Sequence, residues 1–145
     1  LDTNRIKLNK LKRSKFLKNI NFYSEEKELK VSNYDFVFES AGLIKTIEFG
    51  FKILNDNGKL IFASHPEFSK HIKIDPHDLI KGKRIAGTWG GALKTKKDFN
   101  KIFKIFNKNK NILTLLKSKE YKFEDINLAI SDMKKGHEIR PIIKF

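Results

Sequence analysis

The residues able to do chemistry are few. This 145-residue chain has no cysteine, which removes thiolate nucleophiles, disulfides and every cysteine-bearing zinc site. Its four histidines, His65, His71, His77 and His137, lack the close helical spacing that sets two imidazoles on one face, so no metal site is expected within the chain. His65 is a candidate proton-relay group, because an unperturbed imidazole titrates near neutrality. An ordinary polar loop histidine is the plainer reading. What remains are small and polar residues that follow apolar runs, Ser40-Ala41-Gly42 after one and Ser64-His65-Pro66 after the next. Such places let a ligand approach the backbone closely.

Strands must position those ends. Asp35-Phe36-Val37-Phe38-Glu39 is nearly continuously apolar, as expected of a strand buried on both faces of a parallel sheet. Ile44, Ile47, Phe51 and Leu54 follow at the spacing of one helical face, Asn55-Asp56-Asn57-Gly58 stops them, and Lys59-Leu60-Ile61-Phe62-Ala63 is a second buried strand. Strand, helix, turn and strand make a βαβ unit of a doubly wound α/β sheet, in which ligands bind beyond the carboxyl ends of the strands.

Upstream, Asn4 can cap a mostly solvated helix bearing Ile6, Leu8, Leu11 and Phe16, and residues 18–22 read as a short strand. Residues 24–28 begin like a capped helix but run out of apolar positions within a turn. Downstream, Ile72-Lys73-Ile74 alternates like an edge strand, Asp75-Pro76 opens a short helix through Ile80, and Arg84-Ile85-Ala86-Gly87 returns as a strand before Trp89-Gly90-Gly91 breaks the chain. Thr95 can cap a helix whose Phe99, Ile102, Phe103 and Phe106 form an aromatic stripe expected in a core. A last helix from about Glu124 should turn Ile126, Ile130 and Met133 inward and stop at Gly136, with a strand over residues 139–143.

A formal charge of +14 raises the alternative of a lysine-rich nucleic-acid-binding module without enzymatic activity. Of the 31 basic residues only Arg5, Arg13, Arg84 and Arg140 are arginine, the side chain that phosphate and base recognition favours. The high lysine, isoleucine, asparagine and phenylalanine content reads as compositional drift, and neither nucleic acid nor membrane is an expected partner. No apolar run approaches the roughly 20 residues of a membrane-spanning helix. Leu1-Asp2-Thr3 is neither a signal peptide nor a natural start, so the chain is expected to be a soluble, upstream-truncated fragment.

The order of elements and several local strings resemble the zinc-type alcohol dehydrogenases of the medium-chain dehydrogenase/reductase family, especially the class III, glutathione-linked formaldehyde dehydrogenase branch. Asp35-Phe36-Val37-Phe38-Glu39-Ser40-Ala41-Gly42 is similar to a family strand with its acidic residue and glycine, and Gly58-Lys59-Leu60-Ile61-Phe62 to the strand two elements later. Gly87-Thr88-Trp89-Gly90-Gly91 resembles the glycine-rich return into the catalytic domain, and Gly136-His137-Glu138-Ile139-Arg140-Pro141 the closing signature. The resemblance implies an incomplete doubly wound, Rossmann-like parallel sheet lacking its first strand. Residues 1–88 would be a partial NAD-binding domain, and residues 89–145 would return to a catalytic domain outside this chain.

The same resemblance implies a cytoplasmic, homo-oligomeric parent that transfers a hydride between an alcohol or aldehyde and NAD, with zinc held by upstream residues. This chain alone would be inert. Asp2 would accept the adenosine ribose hydroxyls, the alternative being an ordinary helix-start aspartate, and Lys7 would lie beside the same ribose. Ser40, Ala41 and Gly42 would line the adenine side of the cleft, and Ser64 and His65 would offer backbone groups near the nicotinamide. Arg140 would grip the pyrophosphate bidentately, the alternative being a salt bridge to Glu138 or Asp132. Two departures stand out: Lys15-Phe16 replaces a glycine-alanine pair, and residues 21–33 are short for the usual helix. With the first strand absent, the strand over residues 35–39 should pair with residues 59–63 alone.

Overall fold

The structure, a computed structural model, describes residues 1–14, 17–29, 34–110 and 118–145. The helices are α1 (Arg5–Lys12), α2 (Ile44–Lys52), α3 (Pro76–Ile80), α4 (Lys96–Lys108) and α5 (Ile126–Lys134). The strands are β1 (Tyr34–Glu39), β2 (Leu54–Phe62), β3 (Arg84–Gly87), β4 (Glu120–Lys122) and β5 (Ile142–Lys144). They divide into two compact units, Leu29–Thr95, and Leu1–Glu28 with Lys96–Phe145.

The unit Leu29–Thr95 is an α/β layer with a three-stranded parallel sheet in the order β1-β2-β3. As expected, β1 has a single neighbour among the described strands and lies at the edge. Phe36 pairs with Lys59 and Glu39 with Phe62, but Tyr34 pairs with Leu54, so the register slips between them. The extra length is Asn55-Asp56-Asn57-Gly58, which lies inside β2 as an irregularity. The helix ends earlier, at Lys52. Asn57 takes a left-handed φ of 65° there, and a Cβ on Gly58 would sit 2.9 Å from the Asn55 carbonyl oxygen. The turn-forming composition was legible, but its place in the ladder was not.

Ile47, Phe51, Leu54 and Leu60 form the core of this unit, with Val37, Phe62, Ile72, Ile74 and Ile85 packed against it. Helix α2 comes down onto the sheet at Gly50, where a Cβ would meet Val37 Cγ1 at 3.1 Å and Leu60 Cδ1 at 3.2 Å. The helix covers one face only. Phe36 and Phe38 are 66% and 74% exposed, which corrects the expectation of a strand buried on both sides: alternate residues of a strand face opposite ways, and α2 reaches just one of them. Ile72-Lys73-Ile74 is not a strand either. Its isoleucines lean on the core while the Lys73 amide donates to Glu48 Oε1 of α2 at 2.7 Å, so a side chain replaces the ladder as its partner.

In the other unit, Asn4 caps α1 as expected, its Oδ1 accepting from the Lys7 amide at 3.0 Å, and Leu8 is the helix's buried residue. Asn4→Ala is expected to lower stability by about 1 kcal/mol, the usual worth of such a cap, measured as a shift in the urea midpoint with an unchanged slope. No strand forms over residues 18–22, where Ile20 is exposed although Phe22, two positions on, is half-buried; two alternating apolar residues are too few to hold a strand without a partner to pair with. Phe16 and the Lys15-Phe16 departure lie outside the described residues. Residues 24–28 form only a 3-10 turn over Glu26–Glu28, with Glu28 Oε1 accepting from the Ser24 and Glu25 amides.

Near the chain's end β4 pairs in parallel with β5, Tyr121 opposite Ile143. Sequence reading missed β4, since three residues with a single apolar side chain carry no period. Two helix faces were also misjudged. Phe99 and Phe103 of α4 are exposed, and in α5 it is Ala129 that is buried while Ile126, Ile130 and Met133 stay exposed. Helical periodicity identifies a face suited to burial without supplying the surface that buries it.

Candidate functional site

The carboxyl ends of β1 and β2 meet around Glu39. Side chains alternate along β1, so Glu39 turns to the same side as Val37, and the Ala63 amide extends the ladder by donating to the Glu39 carbonyl at 2.9 Å. The carboxylate is buried. Its Oε1 accepts from the amides of Ala41 at 2.7 Å and Gly42 at 3.0 Å and from Thr46 Oγ1 at 2.7 Å, and its Oε2 accepts from Ser64 Oγ. Burial pushes the Glu39 pKa up, but the hydrogen bonds from Ser64, Thr46, Ala41 and Gly42 outweigh it and hold the group below the ordinary glutamate value. The negative charge is thus fixed beneath the turn that joins β1 to α2.

Gly42 brings the two strand ends into contact. Its φ is +80°, in the left-handed region, and a Cβ there would lie 3.4 Å from the His65 carbonyl oxygen. Ser40, Ala41 and His65 are exposed, and Ser64 is half-buried with its hydroxyl engaged by Glu39. The third strand end adds Trp89, whose ring meets the His65 imidazole edge-on with centroids 4.2 Å apart. Beyond it Gly90 and Gly91 have open space where side chains would stand. Sequence reading had not placed Trp89 at the site; the available signal was an aromatic residue beside a glycine pair directly after a strand.

The remaining candidates belong to the other unit. Asp2 receives the Asn4 amide at 2.9 Å and pairs with Lys7 Nζ at 2.8 Å. Burial raises its pKa, but the Lys7 ammonium and the Asn4 amide prevail and lower it overall. Arg140 is exposed just before β5, where its own amide donates to Ser118 Oγ at 3.3 Å. It forms a salt bridge with neither Glu138 nor Asp132. Glu138 accepts from the Lys119 amide at 3.2 Å, while Asp132 accepts from the Tyr121 hydroxyl at 2.7 Å. Burial and that carboxylate push the Tyr121 phenol up to about 12, so it stays protonated as the donor that pins α5 to β4.

Five of the eight sequence-derived candidates, Ser40, Ala41, Gly42, Ser64 and His65, therefore gather at adjacent strand ends. Asp2 and Lys7 form a second pair, and Arg140 presents an exposed guanidinium, without a salt bridge among the described residues, in the same unit as that pair. Among the described residues no group of three histidine, aspartate or glutamate side chains is arranged to hold a metal ion. No described helix is long and apolar enough to cross a membrane.

No family model matches the chain. "Alcohol dehydrogenase-like 2" of Arabidopsis thaliana is 33% identical over 110 residues, which span 75% of this chain and 28% of that protein. Among solved structures, the benzyl alcohol dehydrogenase of Acinetobacter calcoaceticus superposes with a TM-score of 0.67 at 29% identity, covering 77% of this chain and 31% of that one. The acetophenone reductase of Geotrichum candidum, solved in complex with NAD, shares the fold with a TM-score of 0.59 at 22% identity, over 85% of this chain and 35% of that one. The chain spans under a third of the length of the curated relatives it matches. Its α/β layer with a parallel sheet is the Rossmann-like arrangement of these solved structures, and the curated relatives it matches are alcohol dehydrogenase-like proteins.

Proposed function

We propose that this chain forms one wall of the NAD cleft of a zinc-type alcohol dehydrogenase resembling the glutathione-linked formaldehyde branch. The observation that carries the reading is the meeting of Ser40-Ala41-Gly42 with Ser64-His65 at the carboxyl ends of adjacent parallel strands, where open α/β sheets take their ligands. The residues fit a dinucleotide. The turn is small and exposed enough for close approach, and Gly42 leaves no Cβ between the two strand ends.

NAD, when bound, supplies the acceptor for the hydride of an alcohol carbon. The chain's own residues bind and orient it. Ser40, Ala41 and Gly42 face the adenine side, the main chain of Ser64 and His65 serves the nicotinamide end, and Arg140 engages the pyrophosphate. Asp2 accepts the ribose hydroxyls with Lys7 beside it. Residues 1–88 serve the coenzyme, and residues 89–145 return to a catalytic domain. The described residues do not fit a zinc site, so no step here runs through the metal; its ligands belong to other parts of the protein, which is a cytoplasmic homo-oligomer acting on a small alcohol or aldehyde.

Coenzyme titration of the intact protein tests the reading, which fails if NAD does not bind. The same titration with the 2′-phosphorylated coenzyme tests Asp2. Its carboxylate, held ionised by Lys7 and the Asn4 amide, would stand against the added phosphate, and unfavourable like-charge contacts of this kind cost several kcal/mol. NAD should bind at least about ten-fold more tightly. Equal affinity for the two coenzymes would remove Asp2 from the ribose site.

A further inference from the structure

We infer that Glu39 is the positioning residue of the coenzyme cleft: its buried carboxylate ties the turn after β1 to the end of β2 and so sets the distance and facing of the two segments that touch the coenzyme. This rests on the cleft reading above. The network spans the site. One oxygen takes both amides of the turn, Ala41 at 2.7 Å and Gly42 at 3.0 Å, together with the Thr46 hydroxyl from the first turn of α2 at 2.7 Å. The other takes the Ser64 hydroxyl, 25 residues onward in the chain.

Two consequences follow from this arrangement. The Ala41 and Gly42 amides are spent on Glu39, so they are not donors for a coenzyme phosphate, and the turn offers its small surface rather than an anion nest. The Ser64 hydroxyl is likewise spent, so Ser64 serves the coenzyme through its main chain and through the position that Glu39 gives it. Without the carboxylate, the Ala41 and Gly42 amides and the Ser64 hydroxyl lose their acceptor, Thr46 keeps only the Leu43 carbonyl at 2.8 Å, and the side-chain tie between the turn and Ser64 is gone. The backbone ladder through the Ala63 amide and the Glu39 carbonyl would remain, but the turn beyond it could shift against Ser64-His65, and small misplacements of binding groups carry large losses.

The test uses the intact protein carrying Glu39→Ala, Glu39→Gln or Ser64→Ala, with initial rates over a range of NAD and an independent melting curve for each. Glu39→Ala should raise the KM for NAD about ten-fold or more while changing kcat less than about three-fold. Glu39→Gln keeps an acceptor for the turn and can donate to the Ser64 hydroxyl, so it should recover most of that loss. Ser64→Ala cuts only the tie to β2 and should raise KM about three-fold. A merely structural role would lower the melting temperature and the active fraction, hence the apparent kcat, and leave KM alone. An unchanged KM in Glu39→Ala overturns the positioning role. If that variant does not fold, an unchanged KM in Ser64→Ala overturns it instead. A wild-type protein that binds no NAD overturns the cleft reading and this role with it, an outcome distinct from normal wild-type binding that the variants leave intact.

Discussion

Asp78→Ala is expected to destabilise the unit Leu29–Thr95 by about 2 to 4 kcal/mol, because it leaves the Lys83 ammonium buried without its counter-charge. Lys83 is 5% exposed along its side chain and Asp78 27%, with Nζ 3.2 Å from Oδ1. The Lys83 stem runs toward Phe51 of the core, and its ammonium lies 5.8 Å from that ring's centroid. The Lys83 amide also donates to the Asp78 carbonyl at 3.1 Å, so the pair closes the turn between α3 and β3. The partial exposure of Asp78 places the estimate below the full cost of stranding a charge in a dry interior. Replacing both partners, as Asp78→Leu with Lys83→Met, should restore most of the loss, since matched apolar side chains carry no desolvation penalty. Urea denaturation of the single and double variants decides it. Equal midpoints for wild type and Asp78→Ala would mean that water already screens the pair.

Arg140→Ala should weaken NAD binding by the intact protein by about 1.5 to 3 kcal/mol, the scale of a hydrogen bond to a charged group. Its guanidinium is exposed and paired with neither neighbouring carboxylate, so it carries no structural duty that binding would have to break. The backbone beneath it is held in place. The Arg140 amide reaches Ser118, the His137 amide donates to the Asp132 carbonyl at 2.9 Å, and the Ile142 amide donates to the Lys119 carbonyl at 3.2 Å as β5 begins. The fixed backbone removes the main-chain share of the ordering cost, while the exposed side chain still loses rotamer freedom on meeting a pyrophosphate. Lys45→Ala, on the exposed side of α2, is the control and should change the dissociation constant by less than about two-fold. If the two variants behave alike, Arg140 contributes only to the general positive charge.

The sequence determined those features that depend on local pattern. The strands over residues 35–39 and 59–63 and the helix between them were readable because apolar runs and a 3.6-residue period are properties of consecutive side chains, although β2 in fact begins already at Leu54. Asn4 was readable as a cap because a short polar side chain before a helix satisfies its free amides whatever lies around it. The strand over residues 35–39 was expected beside residues 59–63 alone, and β1 is an edge strand. The sequence also marked the small-residue strand ends, although as two separate strings.

Tertiary structure decided what depends on residues distant in the chain. Phe36 and Phe38 read as core but are exposed, as are Phe99 and Phe103, because amphipathicity fixes a face while only a packed neighbour removes it from water. Glu39 read as the polar end of a strand; that it is buried, ionised and bound to Ser64 depends on β2 arriving alongside β1 in this register. Trp89 reached the site the same way, through the parallel pairing of β3 with β2 that sets it against His65. Composition and period act along the chain, whereas register and burial arise between segments, and the candidate site is made of the latter.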